Sequence, residues 1–128
     1  MRMTAALIRT QTAAFVAAMF ALPLFTQPVA AQAAPPAFNA CKACHSVNKG
    51  GKNGIGPNLN GVSGRQAASA VGFNYSAALK GAKLRWDDQS LDTFLAAPAK
   101  KVPGTRMPIG TPDPAKRAAI IAYLKSLK

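Results

Sequence analysis

Cys41-Lys42-Ala43-Cys44-His45 is the stretch on which the reading of this chain turns. Two thiols three positions apart, followed at once by an imidazole, form a C-x-x-C-H run, the attachment signature of a c-type haem. The cofactor's chemistry accounts for the spacing. Two thiols add across the two vinyl groups of one porphyrin as thioethers, and the adjoining imidazole then reaches the iron. His45 is the only histidine in the 128-residue chain, which makes it the candidate proximal ligand.

The motif alone leaves other readings open. A thioredoxin-like redox pair wants a preceding strand and an alternating βαβ pattern, and the sequence has neither. A zinc site needs a fourth ligand, and beyond Cys41, Cys44 and His45 the chain offers no further Cys or His. A structural disulfide suits an exported chain but leaves the histidine unexplained. Haem attachment uses all three residues.

A second axial ligand is to be sought among the methionines, since a thioether raises haem potential in electron carriers. Met1, Met3 and Met19 lie near the N-terminus, which leaves Met107. It sits in Pro103-Gly104-Thr105-Arg106-Met107-Pro108, a non-helical segment stiffened by two prolines. Taken singly, Met107 reads more readily as a core filler. Coupled to the cysteine motif it becomes the candidate ligand opposite His45. The rival is a gas-binding or peroxidatic haem protein with an open sixth position.

Upstream, Met1 to Ala33 has the layout of a cleaved secretory signal. Arg2 and Arg9 supply the basic end, Thr12 to Leu24 is apolar or small, and Ala31-Gln32-Ala33 matches a small-x-small cleavage site. The apolar run is shorter than the roughly 20 residues of a membrane span. The expected domains are therefore a signal at 1–33 and a single 34–128 domain, exported to a periplasm-like compartment.

Downstream, a first helix is expected from Pro36 through Phe38 to about His45. Gly50 to Gly72 is glycine-rich and without period, a loop too long for a compact domain unless it wraps a ligand. A short helix follows at Ser76 to Lys80, ending at Gly81. Another starts at Asp87 or Asp88, carries Leu91, Phe94 and Leu95 at helical spacing, and stops at Pro98. The clearest has Asp113 as N-cap, Pro114 first, and Ile120, Ile121, Leu124 and Leu127 on one face. No segment alternates as a strand does, so the fold expected is all-α with long loops.

Sixteen Lys and Arg face four acids, a net charge of +12. Without Arg2 and Arg9 the balance is 14 against 4, or +10. Such a surface steers a protein toward acidic partners, with simple solubility as the plainer reading. No helix-turn-helix, zinc-finger or aromatic-platform signature supports nucleic acid.

With these residues in view the chain resembles the class I c-type cytochromes, mitochondrial cytochrome c and its close bacterial periplasmic relatives. The likeness runs from about Phe38 to Leu127. It rests on Cys41 to His45, Lys49-Gly50-Gly51-Lys52, Gly56-Pro57-Asn58-Leu59, Gly64-Arg65, Gly72-Phe73-Asn74-Tyr75-Ser76, Trp86, Pro103-Gly104-Thr105-Arg106-Met107 and Ile121-Ala122-Tyr123-Leu124-Lys125. The resemblance implies a small cytochrome c fold whose terminal helices cross, with Phe38 and Tyr123 joining them. It implies one covalent haem c between His45 and Met107, and a Pro57 carbonyl that accepts a hydrogen bond from His45. Arg65, Tyr75, Ser76, Trp86 and Thr105 would surround the haem propionates.

The pattern departs from many relatives at Leu79, Phe94 and Ile109, where an asparagine, a tyrosine and an aromatic are common. The first two replacements predict a drier methionine side. Cleavage after Ala33 would also leave the first helix about a turn short. The function implied is a single-haem electron carrier and not an enzyme. Lys49, Lys52, Lys100, Lys101 and Arg106 would flank the haem edge and dock acidic faces of redox proteins. The chain is expected to be a monomer that meets membranes only through partner complexes.

Overall fold

The computed structural model describes residues 32–128. The expected secretory signal therefore lies outside the described residues, apart from its last two positions. The described chain is helical: a 3-10 turn at Pro36–Phe38, then α1 (Asn39–Lys42), α2 (Ala77–Gly81), α3 (Asp88–Ala96), α4 (Pro98–Lys101) and α5 (Pro114–Ser126). No strand occurs among these residues; Gln66 and Arg85 form one isolated antiparallel bridge.

The helix starts follow their caps. Asp113 accepts from the backbone N–H groups of Ala115 and Lys116, with Pro114 behind it at the first position. Asp87 accepts from Ser90 N–H, and the Ser76 hydroxyl accepts from Leu79 N–H. Lys125, in the last turn of α5, reaches Asp88 of α3 at 2.7 Å.

Two boundaries differ from expectation. The first helix stops at Lys42, short of His45; one further helical bond follows, from His45 N–H to the Cys41 carbonyl at 2.9 Å, and the Cys44 carbonyl then accepts from Gly56 N–H at 2.8 Å. That bond turns the chain toward the glycine-rich loop. Pro98 ends α3 as expected, but it also opens α4, since a proline that cannot continue a helix is well suited to begin one.

The core lies where α3 and α5 pack together and where the 3-10 turn meets α5. Phe38 and Ile120 are fully buried. The rings of Phe38 and Tyr123 meet edge-on with centroids 4.7 Å apart, which joins the two ends of the domain. Trp86 leans on Phe94 at 5.0 Å. The segment from Gly50 to Gly72 forms no helix and wraps one side of a central cavity.

Candidate functional site

The cavity measures about 260 Å³ and is lined mainly by apolar side chains. Leu91, Phe94, Leu95, Ile120 and Leu124 line it while also belonging to the core. Cavity and core are thus one apolar interior. Cys41, Cys44 and His45 reach it from the end of α1; Pro57 and Arg65 from the glycine-rich loop; Tyr75, Ser76 and Trp86 from the segments around α2; Thr105 and Met107 from the loop after α4. All ten residues singled out in the sequence come together on this one wall.

His45 is held by its Nδ1, which donates to the Pro57 carbonyl at 2.8 Å. That bond fixes the tautomer and leaves Nε2 as the ring nitrogen with a lone pair to give a metal. The imidazole lies directly against Gly56. A Cβ built on Gly56 would stand 2.6 Å from His45 Nδ1 and 2.9 Å from Nε2, closer than real Cβ contacts. This requirement was not apparent from sequence, where Gly56 is one glycine among several.

Arg65 supplies a test of what the cavity accepts. Its Nη1 and Nη2 donate to the carbonyls of Asn60 and Asn58, each at 3.2 Å, while Nε is buried without a partner. A buried cationic donor left over is costly unless an anionic group meets it. The Tyr75 hydroxyl accepts from Ala70 N–H at 3.2 Å and the Ser76 hydroxyl from Leu79 N–H at 3.1 Å, so each retains its own proton to donate. Thr105 Oγ1 accepts from Met107 N–H at 3.3 Å, beside the candidate thioether. An apolar interior with donors at its edge fits a flat, apolar group that carries carboxylates, as a haem does.

Cys41 and Cys44 are not joined by a disulfide. Burial pushes the Cys41 thiol above its ordinary pKa, with Cys44 adding to the shift and a backbone hydrogen bond opposing it. A reactive thiol has the opposite shift, so Cys41 lacks the mark of a redox nucleophile. Among the described residues no cluster of His, Cys and acidic side chains could form a further metal site.

The cations predicted to ring the site divide in two. Lys49, Lys52, Lys100 and Lys101 are exposed but do not line the cavity, whereas Arg106 does and also donates to the Asn74 carbonyl at 3.0 Å. Ile55 and Ile109, 81% and 61% exposed, give the cavity an apolar lip.

Comparison with known proteins bears on this geometry directly. The sequence matches the Cytochrome c family over residues 31–128. The chain belongs to the cytochrome c family. It is 52% identical over 95 residues to cytochrome c2 iso-2 of Magnetospirillum fulvum, an alignment that takes in 73% of this chain and 98% of that one. It is 49% identical over 92 residues to cytochrome c2 of Rhodoblastus acidophilus, covering 71% and 86% respectively. Among solved structures, cytochrome cH from Methylobacterium extorquens superposes with a TM-score of 0.66 at 51% identity, covering 70% of this chain and 91% of that one. Cytochrome c2 from Rhodospirillum centenum gives 0.67 at 35% identity, with 72% and 92% covered.

As a cytochrome c, the protein is a single-haem electron carrier of the all-α fold expected, and its cofactor is covalently bound haem c. Cys41 and Cys44 fit the family's C-x-x-C-H attachment motif.

Proposed function

We propose that Cys41 and Cys44 hold the haem as thioethers, that His45 and Met107 are its axial ligands, and that the protein carries single electrons between periplasmic or membrane redox complexes without itself being an enzyme. The observation that carries this reading is the presence in one apolar cavity of a histidine whose Nδ1 is committed to a carbonyl and of Met107.

Haem, when bound, supplies a one-electron Fe(III)/Fe(II) couple. The chain's own residues do the rest. His45 presents Nε2 with a fixed tautomer, and Met107 offers a soft thioether from a loop held by prolines. Leu91, Phe94 and Leu95 keep water from the interior. Arg65, Tyr75, Ser76, Trp86 and Thr105 offer polar hydrogens to the propionates, which makes two buried carboxylates tolerable. Phe94 is buried and Leu79 half-buried on the cavity wall, which supports a methionine side poor in polar partners. With His45 and Met107 both holding the iron, no position would be left for a substrate, and little would need to move between oxidation states.

Charge supports the choice of partner. Asp87 and Asp113 cap helices, while Asp88 and Asp92 pair with Lys125 and Arg117, so every acid of the chain is engaged. Apart from Arg65, the remaining cations among the described residues are exposed without an acidic partner and favour acidic docking faces, with weak, salt-sensitive encounter. The same like charge opposes self-association and supports a monomer. Export with cleavage near Ala33 would place the carrier in the periplasm, in contact with membranes only through its partners.

Absorption spectroscopy of the exported protein tests the ligation. Sharp low-spin reduced bands, together with the weak red band of a ferric iron–methionine bond that disappears in Met107→Ala, are expected. A high-spin resting ferric spectrum would move the protein to the ligand-binding or peroxidatic class. Electron-transfer rates with a redox partner should fall as ionic strength rises; rates indifferent to salt would remove the acidic-face docking.

A further inference from the structure

We propose that Asn58 is a positioning residue for His45: by pinning the Pro57 carbonyl against the imidazole it sets the ring's electron donation, and through it the reduction potential. The inference rests on His45 being an iron ligand.

The geometry is a closed circuit. His45 donates to the carbonyl of Pro57, at 2.8 Å. Asn58, the next residue, turns its Nδ2 back to the Oγ of Ser46, the residue after His45, at 2.7 Å. Two covalent steps and two hydrogen bonds thus return to the starting imidazole. Leu59 N–H to Ser46 O, at 2.8 Å, locks the same pair of segments one residue further on.

Every other polar atom of Asn58 is also engaged. Its Nδ2 donates to Asn48 O at 3.0 Å, its Oδ1 accepts from Asn60 N–H at 2.8 Å, its N–H donates to Asn53 Oδ1 at 2.9 Å, and its carbonyl accepts from Arg65 at 3.2 Å. Ser46 Oγ passes the chain of bonds on to Lys52 O at 2.6 Å. Only glycine suits position 51 beside this amide, since a Cβ there would stand 2.8 Å from Asn58 Nδ2.

No helix or strand holds residues 46–60, so the position of the Pro57 carbonyl depends on these side-chain bonds. Donation from Nδ1 to a carbonyl raises the basicity of the metal-bound ring. A more basic ligand favours Fe(III), so a loosened carbonyl should favour Fe(II) and raise the potential.

The test uses the haem-loaded protein, with Ser46→Ala and Asn58→Ala. Both are neutral changes and add no charge to the potential. The readouts are the reduction potential and the NMR shift of the His45 Nδ1 proton. Each variant should shift the Fe(III)/Fe(II) balance toward Fe(II) about threefold at a fixed solution potential, ~28 mV at 59 mV per tenfold, with the Nδ1 proton moving toward a weaker hydrogen bond. If Asn58→Ala does not fold, Ser46→Ala, which removes the bond nearest His45 together with the one to the Lys52 carbonyl and leaves the other bonds of Asn58 in place, carries the test. Lower folding stability with an unchanged potential and Nδ1 shift would make the network merely structural and overturn the proposal, as would a fall in potential. A wild-type spectrum without histidine ligation would overturn it together with the reading on which it rests, and that outcome is visible before any variant is made.

Discussion

Arg117 Nε donates to Asp92 Oδ1 across 2.7 Å, joining the first half of α5 to α3 through a guanidinium only 11% exposed. The same side chain donates Nη1 to the carbonyls of Thr111 and Pro112, at 3.1 and 2.6 Å. Arg117 therefore fastens the C-terminal end of the loop that carries Met107 to both long helices.

Removing that fork leaves two carbonyls and a carboxylate without their donor. Arg117→Ala should cost about 2 kcal/mol of stability, less than a fully buried pair because Asp92 remains partly solvated. Arg117→Lys should recover less than half of it, since a single ammonium cannot reproduce a planar fork. Denaturant unfolding of the haem-loaded variants measures both. A full recovery by lysine would mean that charge alone matters.

Gly56→Ala places a methyl group against the His45 ring, 2.6 Å from Nδ1. Neither neighbour can yield, because the ring is bound to Pro57 and the Gly56 N–H to the Cys44 carbonyl. The cost should be about 3 kcal/mol of strain, or a displaced imidazole. Yield of covalently loaded protein and the spin state of its iron report it; a normal yield with a low-spin spectrum would contradict the contact.

Ala68 has φ +59° although it is not glycine. The left-handed conformation costs an L-residue about 1–2 kcal/mol, whereas glycine's extra freedom in the unfolded chain costs about 0.4–1 kcal/mol. The strain exceeds the entropy, so Ala68→Gly should stabilise by about 0.5 kcal/mol and raise Tm by about 2–4 °C. An unchanged or lower Tm in a thermal melt would count against it.

Asp87 is held below its ordinary carboxylate pKa of 3.8, chiefly by the backbone N–H of Ser90 that it caps. A group whose pKa falls on folding adds stability above its unfolded value, and that stability is lost as pH drops through the folded one. Asp87→Asn keeps a capping oxygen without the charge, so stability near pH 7 should fall modestly while the loss of stability below about pH 4 becomes less steep. Urea titrations at a series of pH values would show it; identical acid limbs in the two proteins would exclude Asp87 as a contributor.

Much of this was legible in the sequence, and the reasons differ by element. α5 announced itself because Asp113, Pro114 and the apolar spacing all agree, and Ile120, Ile121 and Leu124 are buried as the period requires. Of the ten cavity residues, Cys41, Cys44, His45 and Met107 follow from C-x-x-C-H, which names a cofactor with known needs, whereas Pro57, Arg65, Tyr75, Ser76, Trp86 and Thr105 are implied only by the resemblance to class I c-type cytochromes. Gly56 and Asn58 were quoted within a motif, but their contacts were not foreseen. A close approach between residues eleven apart, or an amide reaching back to Ser46 and Asn48, leaves no periodic trace. The turn that follows α1 was missed for a similar reason: Gly56, which donates to the Cys44 carbonyl, is distant in sequence.

Leu91, Phe94, Ile120 and Leu124 serve the core and line the cavity with the same side chains. The cofactor is accordingly not a guest in a finished protein but the last piece of its interior, and so small a domain has little other apolar surface with which to compensate. Folding thus becomes a record of assembly. A chain that had not acquired haem would stay open to proteases, while a loaded one would close and be spared, so that the cell's ordinary disposal of unfolded protein also inspects whether each carrier has received its pigment.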